Sequence, residues 1–227
     1  MPELSAVADL EQRIWGTDTV TMQPELLLAM QHEGALLTGA FTLEGELIAF
    51  VFGFPTRDPT IQHSHALGIL EGHRSAGLGA RLKWWQRAWC LAHGIRTVRW
   101  TYDPLRLANA KLNIHKLGVV AHEYLPNYYG ELTGINAGTP TDRVMAVWTL
   151  ESSKVLDRLE GRAQTAARDA LLFELPTNFG ALQMTDLSAA LEWRLRGRAF
   201  LQDAFANGYQ ITGLQLEPSC AYLLELR

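Results

Sequence analysis

A glycine-containing turn in the middle of the chain has the composition of an anion-binding site. Arg74, Gly77 and Gly79 form the pattern R-x-x-G-x-G between a predicted strand and a predicted amphipathic helix. Glycine lets backbone N–H groups approach a ligand without a Cβ in the way, and a helix N-terminus adds partial positive charge. The segment therefore predicts a cradle for a pyrophosphate. A tight turn that binds nothing is the alternative, because an isolated G-x-G is common.

Two histidines precede this turn on the same predicted strand. His63 and His65 are two residues apart, so both project from one face of that strand. Imidazole accepts a proton near neutral pH, and we take His65 as the better candidate for a catalytic base. The alternative is a packed, hydrogen-bonded histidine, which applies if Leu67 and Ile69 continue the same face into the core.

Other polar residues follow predicted strands or lie in predicted loops. Asp103 ends a strand, so it is a candidate proton acceptor or a cap for the helix that follows. Arg143 and Arg57 are candidates for binding a carboxylate. For Arg143, an ion pair with the neighbouring Asp142 is the alternative.

Charge is distributed unevenly along the chain. The 227 residues contain 20 Lys and Arg against 24 Asp and Glu, a net charge of −4. Residues 72–122 contain nine of the basic residues and one acid, a local balance of +8 that leaves −12 elsewhere. This basic block indicates an anionic ligand or a solvated helix face, while the acidic remainder argues against a nucleic-acid partner.

Composition excludes several classes of protein. With 48% hydrophobic and 19% charged residues, the chain is not of the disordered class. No apolar run approaches the roughly 20 residues of a membrane helix, and no signal peptide is recognisable at the N-terminus. Cys90 and Cys220 are too few and too far apart for a disulfide framework or a metal cluster. We expect a cytoplasmic protein with no membrane partner and no metal.

Hydrophobic periodicity predicts a mixed α/β chain. The predicted helices cover residues 4–15, 24–33, 77–93 and 107–117, and the predicted strands cover 35–42, 47–54, 63–70, 97–101, 119–125 and 144–150. Antiparallel hairpins and two strand–helix–strand crossovers give a central mixed sheet flanked by helices. The spacing in the third helix predicts that Trp85 and Trp89 face the core and that Lys83 lies on another face.

A second, smaller unit is predicted at the C-terminus. The sequence divides into domains 1–151 and 152–227, with the boundary near Glu151. The second domain is an α/β subdomain packed on the first sheet or at a subunit interface. Its predicted elements are a helix ending near residue 168, a helix at 186–206, and strands at 171–175, 209–216 and 221–226.

This order of elements and motifs resembles the GNAT superfamily of acyl-CoA N-acyltransferases over roughly residues 3–150. The R-x-x-G-x-G turn is followed by a helix, a strand and an Asn-containing helix that ends in Leu117-Gly118. More narrowly, the chain resembles a long bacterial subgroup of predicted acetyltransferases. Some of that subgroup are associated with N-acylamino-acid racemases and with N-succinylation of amino acids. The segments that carry this narrower likeness are Trp15-Gly16, His63-Ser64-His65, residues 100–105, Asn109, Asn113, residues 127–130, Asp142-Arg143 and Trp148.

The resemblance implies that the chain binds acetyl-CoA or another acyl-CoA, with succinyl-CoA as one option. By this likeness, the pantetheine arm would bind the backbone of Leu67, Gly68, Ile69 and Leu70. The pyrophosphate would bind the backbone of Arg74, Ser75, Ala76, Gly77, Leu78, Gly79 and Ala80, and Asn109 would face the cofactor.

One family residue is missing from its usual place. The family usually has a tyrosine four residues before the glycine of the Asn-containing helix, and here that position is Ile114. Tyr128 and Tyr129, in the loop before the last strand of this domain, are candidates to replace it as proton donor. His115 lies about 100° further round the helix and is a weaker candidate.

The sequence therefore predicts an N-acyltransferase that moves an acetyl or succinyl group to a small-molecule amine, such as an amino acid, by direct attack. A homodimer is one option for its assembly. A non-catalytic acyl-CoA-binding or regulatory module is an alternative, since Ile114 replaces the usual tyrosine. A nucleotide-binding oxidoreductase is another, with Asp103 as the acid of a dinucleotide fingerprint whose third glycine position is Leu82.

Overall fold

The computed structural model describes residues 2–17, 19–130, 138–162 and 169–227. The chain divides into two compact units, Met1–Arg99 and Trp100–Arg227. This division falls inside the strand Thr97–Tyr102. The domain boundary near Glu151 remains a prediction.

The first unit contains a mixed sheet with helices on both sides. Strands β1, β2 and β3 pair antiparallel, and β3 pairs parallel with β4. The predicted mixed α/β class is confirmed. The elements are α1 (Pro2–Trp15), α2 (Pro24–His32), β1 (Leu36–Phe41), β2 (Leu47–Pro55), β3 (Ile61–Ile69), a 3-10 helix (Glu71–Ala76), α3 (Leu78–Ala92) and the start of β4 (Thr97–Tyr102).

Strand β2 supplies the centre of two hydrophobic cores. Phe50 and Phe52 pack with α1 and α2 on one face of the sheet. Ala49 and Val51 pack with Leu82 of α3 on the other face. Because both faces are covered, β2 is buried over most of its length and does not alternate between apolar and polar residues.

Helix α3 buries a different face from the predicted one. Its buried residues are Gly79, Leu82, Lys83, Gln86 and Cys90, whereas Trp85 is 49% exposed. The prediction that Trp85 faces the core and Lys83 does not is wrong. Hydrophobic spacing alone predicts the wrong buried face, because Lys83 and Gln86 form hydrogen bonds in the interior and can therefore be buried.

Two glycines with left-handed backbone mark the ends of α3. Gly77 precedes the helix with φ +70°, and Gly94 follows it with φ +77°. An L side chain costs about 1–2 kcal/mol in that conformation, so both positions favour glycine. The predicted helix over residues 77–93 is confirmed to within one residue at each end.

The second unit contains an antiparallel sheet in the order β6-β5-β8-β9-β7. Since β8 pairs with β5, the C-terminal strands continue the sheet of β5 and β6. Among the described residues its elements are α4 (Leu107–Ala110), a π-helical segment (Lys111–Lys116), β5 (Val120–Leu125), β6 (Arg143–Thr149), α5 (Ser153–Leu159), β7 (Leu171–Glu174), α6 (Phe179–Thr185), α7 (Leu187–Ala206), β8 (Tyr209–Gln215) and β9 (Ala221–Leu226).

Helix α5 ends at Leu159, earlier than the predicted helix end near residue 168. Residues 163–168 of that prediction lie outside the described part of the chain. Within the described ranges, no helix has the length and apolarity needed to cross a membrane.

Two bidentate ion pairs attach α7 to loops of the second unit. Arg194 donates to both carboxylate oxygens of Asp103, at 2.8 and 2.7 Å. Arg198 donates to both oxygens of Asp142, at 2.9 and 2.7 Å, and the Tyr124 hydroxyl donates to the same carboxylate. Planar guanidinium groups suit this two-point geometry, so these pairs set the position of α7.

Arg194→Ala is expected to lower the free energy of unfolding by about 3–5 kcal/mol, because it leaves a largely buried carboxylate without its counter-ion. Urea unfolding measures the change. Arg196→Ala is the matched control, since Arg196 is an exposed arginine on the same helix. Equal losses in the two variants would show that the Arg194–Asp103 pair does not anchor α7.

Candidate functional site

The predicted phosphate cradle lies entirely within the first unit. Strand β3 ends at Ile69, a 3-10 helix covers Glu71–Ala76, and α3 begins at Leu78 after the left-handed Gly77. A Cβ on Gly77 would meet nothing within 4 Å among the described residues, so conformation and not crowding favours glycine there. The first N–H groups of α3 have no acceptor inside the helix and are available to an oxyanion.

Two arginines flank this helix N-terminus. Arg74 is exposed, and its Nε donates to the carbonyl oxygen of Ile69 at 3.3 Å. Arg81 is exposed in the first turns of α3, and its backbone N–H donates to the Gly77 carbonyl at 3.1 Å. Both arginines lie within four residues of Gly77, so this part of the chain carries exposed positive charge.

A β-bulge interrupts β3 at His65. Phe52 pairs with Ala66 and Gly53 pairs with Ser64, which leaves His65 as an extra residue. The rings of His65 and Phe52 are 6.1 Å apart, and Ala66 packs against the core that contains Phe52. Two consecutive side chains of β3 therefore project onto the same face.

The bulge reverses the direction of the side chains that follow it. His63 and His65 lie with Phe54 on one face, whereas Leu67 and Ile69 pack in the core on the α3 face. The interpretation in which Leu67 and Ile69 continue the histidine face is therefore wrong. Side chains of a strand alternate between its two faces, so one inserted residue moves every later side chain to the opposite face.

The two imidazoles lie in an aromatic cluster. The ring of His63 stacks on Phe54 at 5.0 Å, and the ring of His65 is 5.9 Å from Phe54 and 6.3 Å from His63. Burial lowers the pKa of His65, and burial together with the charge of His65 lowers the pKa of His63 to about 4. Both rings are therefore neutral at pH 7 and able to accept a proton. His65 is the more exposed of the two.

Among the described residues of the first unit, the edge of β3 that faces β4 is outside a ladder after His63. The parallel pairing with β4 covers only Ile61–His63 against Thr97–Arg99. From Ser64 to Ile69, the opposite edge of β3 stays paired with β2. The predicted pantetheine-binding backbone of Leu67–Leu70 begins on this stretch, and β3 ends at Ile69. The Leu70 N–H is already committed, since it donates to the Ile48 carbonyl at 2.9 Å.

Asp103 is held by neighbours in the second unit. Besides Arg194, it accepts a hydrogen bond from the N–H of Leu105 at 2.9 Å, so it caps the turn that leads into α4. A role for Asp103 as proton acceptor requires the ion pair with Arg194 to open, and it stays a prediction.

Arg143, Tyr129 and Thr101 come together in the second unit. The Arg143 guanidinium lies 5.0 Å over the Tyr129 ring, and the Tyr129 hydroxyl is 3.1 Å from Thr101 Oγ1. Arg143 donates to the backbone oxygen of Asp142, not to its carboxylate, which Arg198 binds. The alternative of an Asp142–Arg143 ion pair is therefore wrong.

The remaining predicted residues have fewer contacts. Tyr128 is 47% exposed and packs edge-to-face on Tyr129. Asn109 is partly buried in α4, and Arg57 is exposed between β2 and β3 of the first unit. Ile114 is fully buried. Roles for Tyr128, Asn109 and Arg57 remain predictions.

Sequence reasoning missed a buried polar network behind β3. Its members are Gln62, Ser64, Lys83, Gln86 and Cys90. The signal was present as polar residues at alternate positions of β3 and at positions i and i+3 of α3. The arginines of α7 that bind Asp103 and Asp142 were missed as well, although they lie one helical turn apart. Among the described residues, no group of three His, Cys, Asp or Glu side chains is placed to hold a metal ion.

No protein-family model matches the chain, and no curated protein matches its sequence. Solved structures match its fold over two thirds of its length. The ribosomal-protein-S18-alanine N-acetyltransferase of Escherichia coli gives a TM-score of 0.54 at 18% identity, covering 67% of this chain and 91% of that one. The aminoglycoside 6'-acetyltransferase type Ii gives 0.52 at 20% identity, covering 66% and 90%.

An aminoglycoside 6'-N-acetyltransferase complexed with coenzyme A gives a TM-score of 0.51 at 18% identity, covering 66% of this chain and 91% of that one. At these identities the likeness establishes the fold. The chain therefore has the fold of these acetyltransferases over about two thirds of its length.

Gly79→Val is expected to weaken coenzyme A binding at least about tenfold, or about 1.4 kcal/mol, because a branched side chain would crowd the N–H groups at the start of α3. Isothermal titration with coenzyme A measures the change, and circular dichroism checks the fold. Ala88→Val is the control, since Ala88 is exposed on the same helix. Unchanged affinity in folded Gly79→Val would contradict this placement of the cradle.

Proposed function

We propose that this chain, which has the GNAT fold, is an acyl-CoA-dependent N-acyltransferase acting on the amine of a small molecule. The observation that carries the proposal is the continuity of three features in the first unit. The free edge of β3 after its bulge leads into the Gly77 turn, and that turn leads into the N-terminus of α3. The acetyltransferases of the same fold support it, and one of them was solved with coenzyme A.

The residues of the first unit fit the two parts of an acyl-CoA. The amides of a pantetheine arm need backbone donors and acceptors in an extended row, which the Leu67–Ile69 edge offers. A pyrophosphate needs converging N–H groups and positive charge, which the start of α3, Arg74 and Arg81 offer. The thioester supplies an activated acyl group when it is bound.

In the proposed reaction the chain's own residues move protons and stabilise charge. His65 accepts a proton from the acceptor amine, whose nitrogen attacks the thioester carbon. A backbone N–H at the Leu67–Ile69 edge binds the oxyanion that develops on the carbonyl oxygen. As the carbon–sulfur bond breaks, the departing thiolate takes up a proton, for which Tyr128 remains the donor suggested by the sequence.

We also propose the finer identity of the substrates. The acyl group is acetyl or succinyl, and the acceptor is a small amine such as an amino acid. Arg143, stacked on Tyr129, and Arg57 are the proposed partners of a substrate carboxylate. Asp103 and Asn109 remain proposed contributors, and assembly as a homodimer remains an option.

A non-catalytic acyl-CoA-binding module is the second candidate. The observation that favours it is the complete burial of Ile114 at the position where the family usually offers a proton-donating tyrosine. Coenzyme A binding alone would not separate the two functions, because both use the same cradle.

Thiol release separates the candidates. The purified chain is incubated with acetyl-CoA or succinyl-CoA and a panel of amines that includes amino acids and aminoglycosides, and free thiol is measured. The enzyme predicts release that depends on an amine. Tight coenzyme A binding by calorimetry with no release from any amine would establish the binding module. NAD binding without coenzyme A binding would establish the oxidoreductase.

His65→Gln is expected to lower kcat/KM by roughly 10²–10⁴-fold while leaving coenzyme A affinity unchanged, because it removes the base but not the cradle. Burial lowers the pKa of His65 below its usual 6.5, so activity of the unmodified chain should persist at pH 6.5 and fall as the pH drops further. Steady-state pH profiles test this.

The matched control is His32→Gln, since His32 is exposed on α2. A His65→Gln profile that keeps the acid limb and the rate of the unmodified chain would exclude His65 as the base.

A further inference from the structure

A buried polar network joins β3 to α3 directly behind the bulge. The Lys83 ammonium donates to Ser64 Oγ at 2.8 Å and to Gln86 Oε1 at 3.1 Å. Gln86 Nε2 in turn donates to Gln62 Oε1 at 2.6 Å. All four side chains are at most 4% exposed. These three hydrogen bonds therefore link two residues of β3 to two residues of α3 in the interior.

The residues that the network holds alternate with the histidines. Gln62 and Ser64 project toward α3, while His63 and His65 project to the opposite face. Ser64 immediately precedes the bulged residue. The hydrogen bond from Lys83 therefore holds Ser64 toward α3 at the residue just before the bulge.

Space for the network comes from Gly53, the partner of Ser64 on β2. A Cβ on Gly53 would lie 2.7 Å from Gln62 Oε1 and 3.1 Å from Gln86 Nε2. The sheet thus leaves room for amide groups where an apolar side chain would otherwise pack. The side chains of Gln62 and Gln86 therefore fill the space that a side chain at position 53 would otherwise occupy.

Burying an ammonium group stabilises a fold less than burying an apolar side chain of similar size. Burial lowers the pKa of Lys83 to about 7, which reflects the cost of keeping its charge away from water. An apolar side chain of similar length would fill the site without that cost. Hydrogen-bonded groups, unlike apolar contacts, are satisfied in only one register of the strand.

We propose that Lys83 is a positioning residue for acyl transfer: through Ser64 it sets the bulge at His65 and thereby the direction of the His65 imidazole. The inference rests on the proposed function, in which His65 is the base. Lys83 itself touches neither substrate nor the reacting atoms in this role.

Lys83→Met tests the proposal. We expect kcat to fall roughly 10–100-fold, the effect of a small misplacement of a catalytic group, while KM for acyl-CoA changes less than about twofold. The urea concentration at the midpoint of unfolding should stay the same or rise. A purely structural role predicts the opposite pattern, a lower midpoint with normal kcat in the folded protein.

Ser64→Ala and the double variant Lys83→Met/Ser64→Ala complete a double-mutant cycle. If Lys83 acts through Ser64, the double variant loses no more activity than Lys83→Met alone, whereas independent roles give multiplied losses. Ser64→Ala also decides the question if Lys83→Met does not fold. Lys116→Met, at an exposed lysine, is the control and should keep the kcat of the unmodified chain.

The His65 ring signals in NMR spectra test the same inference without turnover. They should shift in Lys83→Met and in Ser64→Ala, while those of the exposed His32 stay in place. Normal kcat or unmoved His65 signals in a folded variant would overturn the proposal. If the unmodified chain releases no thiol with any amine, the proposed function fails, and the His65 signals still decide whether Lys83 positions the bulge.

Discussion

The extra residue in β3 constrains most of what the first unit presents to a ligand. Up to Ser64 the strand alternates regularly, with polar side chains toward α3 and histidines toward the opposite face. After His65 the alternation is reversed, so Leu67 and Ile69 pack into the core beside α3. The same irregularity accompanies the end of the ladder with β4, which stops at His63. The inserted residue thus carries the exposed imidazole of His65 and lies just before the stretch of β3 that leads to the glycine turn.

Arginine and lysine side chains lie in three kinds of environment. In the first unit, the exposed Arg74 and Arg81 supply positive charge around the start of α3. Lys83 belongs to the same basic stretch of sequence, yet it is buried and its hydrogen bonds act on the strand. In the second unit, Arg194 and Arg198 neutralise two carboxylates and position α7. Basic side chains thus lie exposed beside the glycine turn, bond to β3 in the interior, or pair with carboxylates, according to their burial.

Much of the fold was predictable because it depends on local patterns. The glycines that bound α3 were recognisable, since few other residues adopt a left-handed backbone. Strand β2 was recognisable as a continuous apolar run between turn residues. The buried face of α3 was not, because the usual rule places lysine and glutamine outside. That rule fails when a facing strand supplies partners, as Gln62 and Ser64 do here.

The candidate site shows the same division between local pattern and tertiary contact. By itself, the sequence determined the glycine turn, the histidine pair and the mixed α/β class, because backbone conformation, residue spacing and hydrophobic period are local properties. Only the tertiary structure decided that β3 bulges at His65, that Lys83 holds Ser64, and that Asp103 is bound by Arg194. Strand register and ion pairing join residues far apart in the chain, and each depends on which side chains meet when the interior is filled.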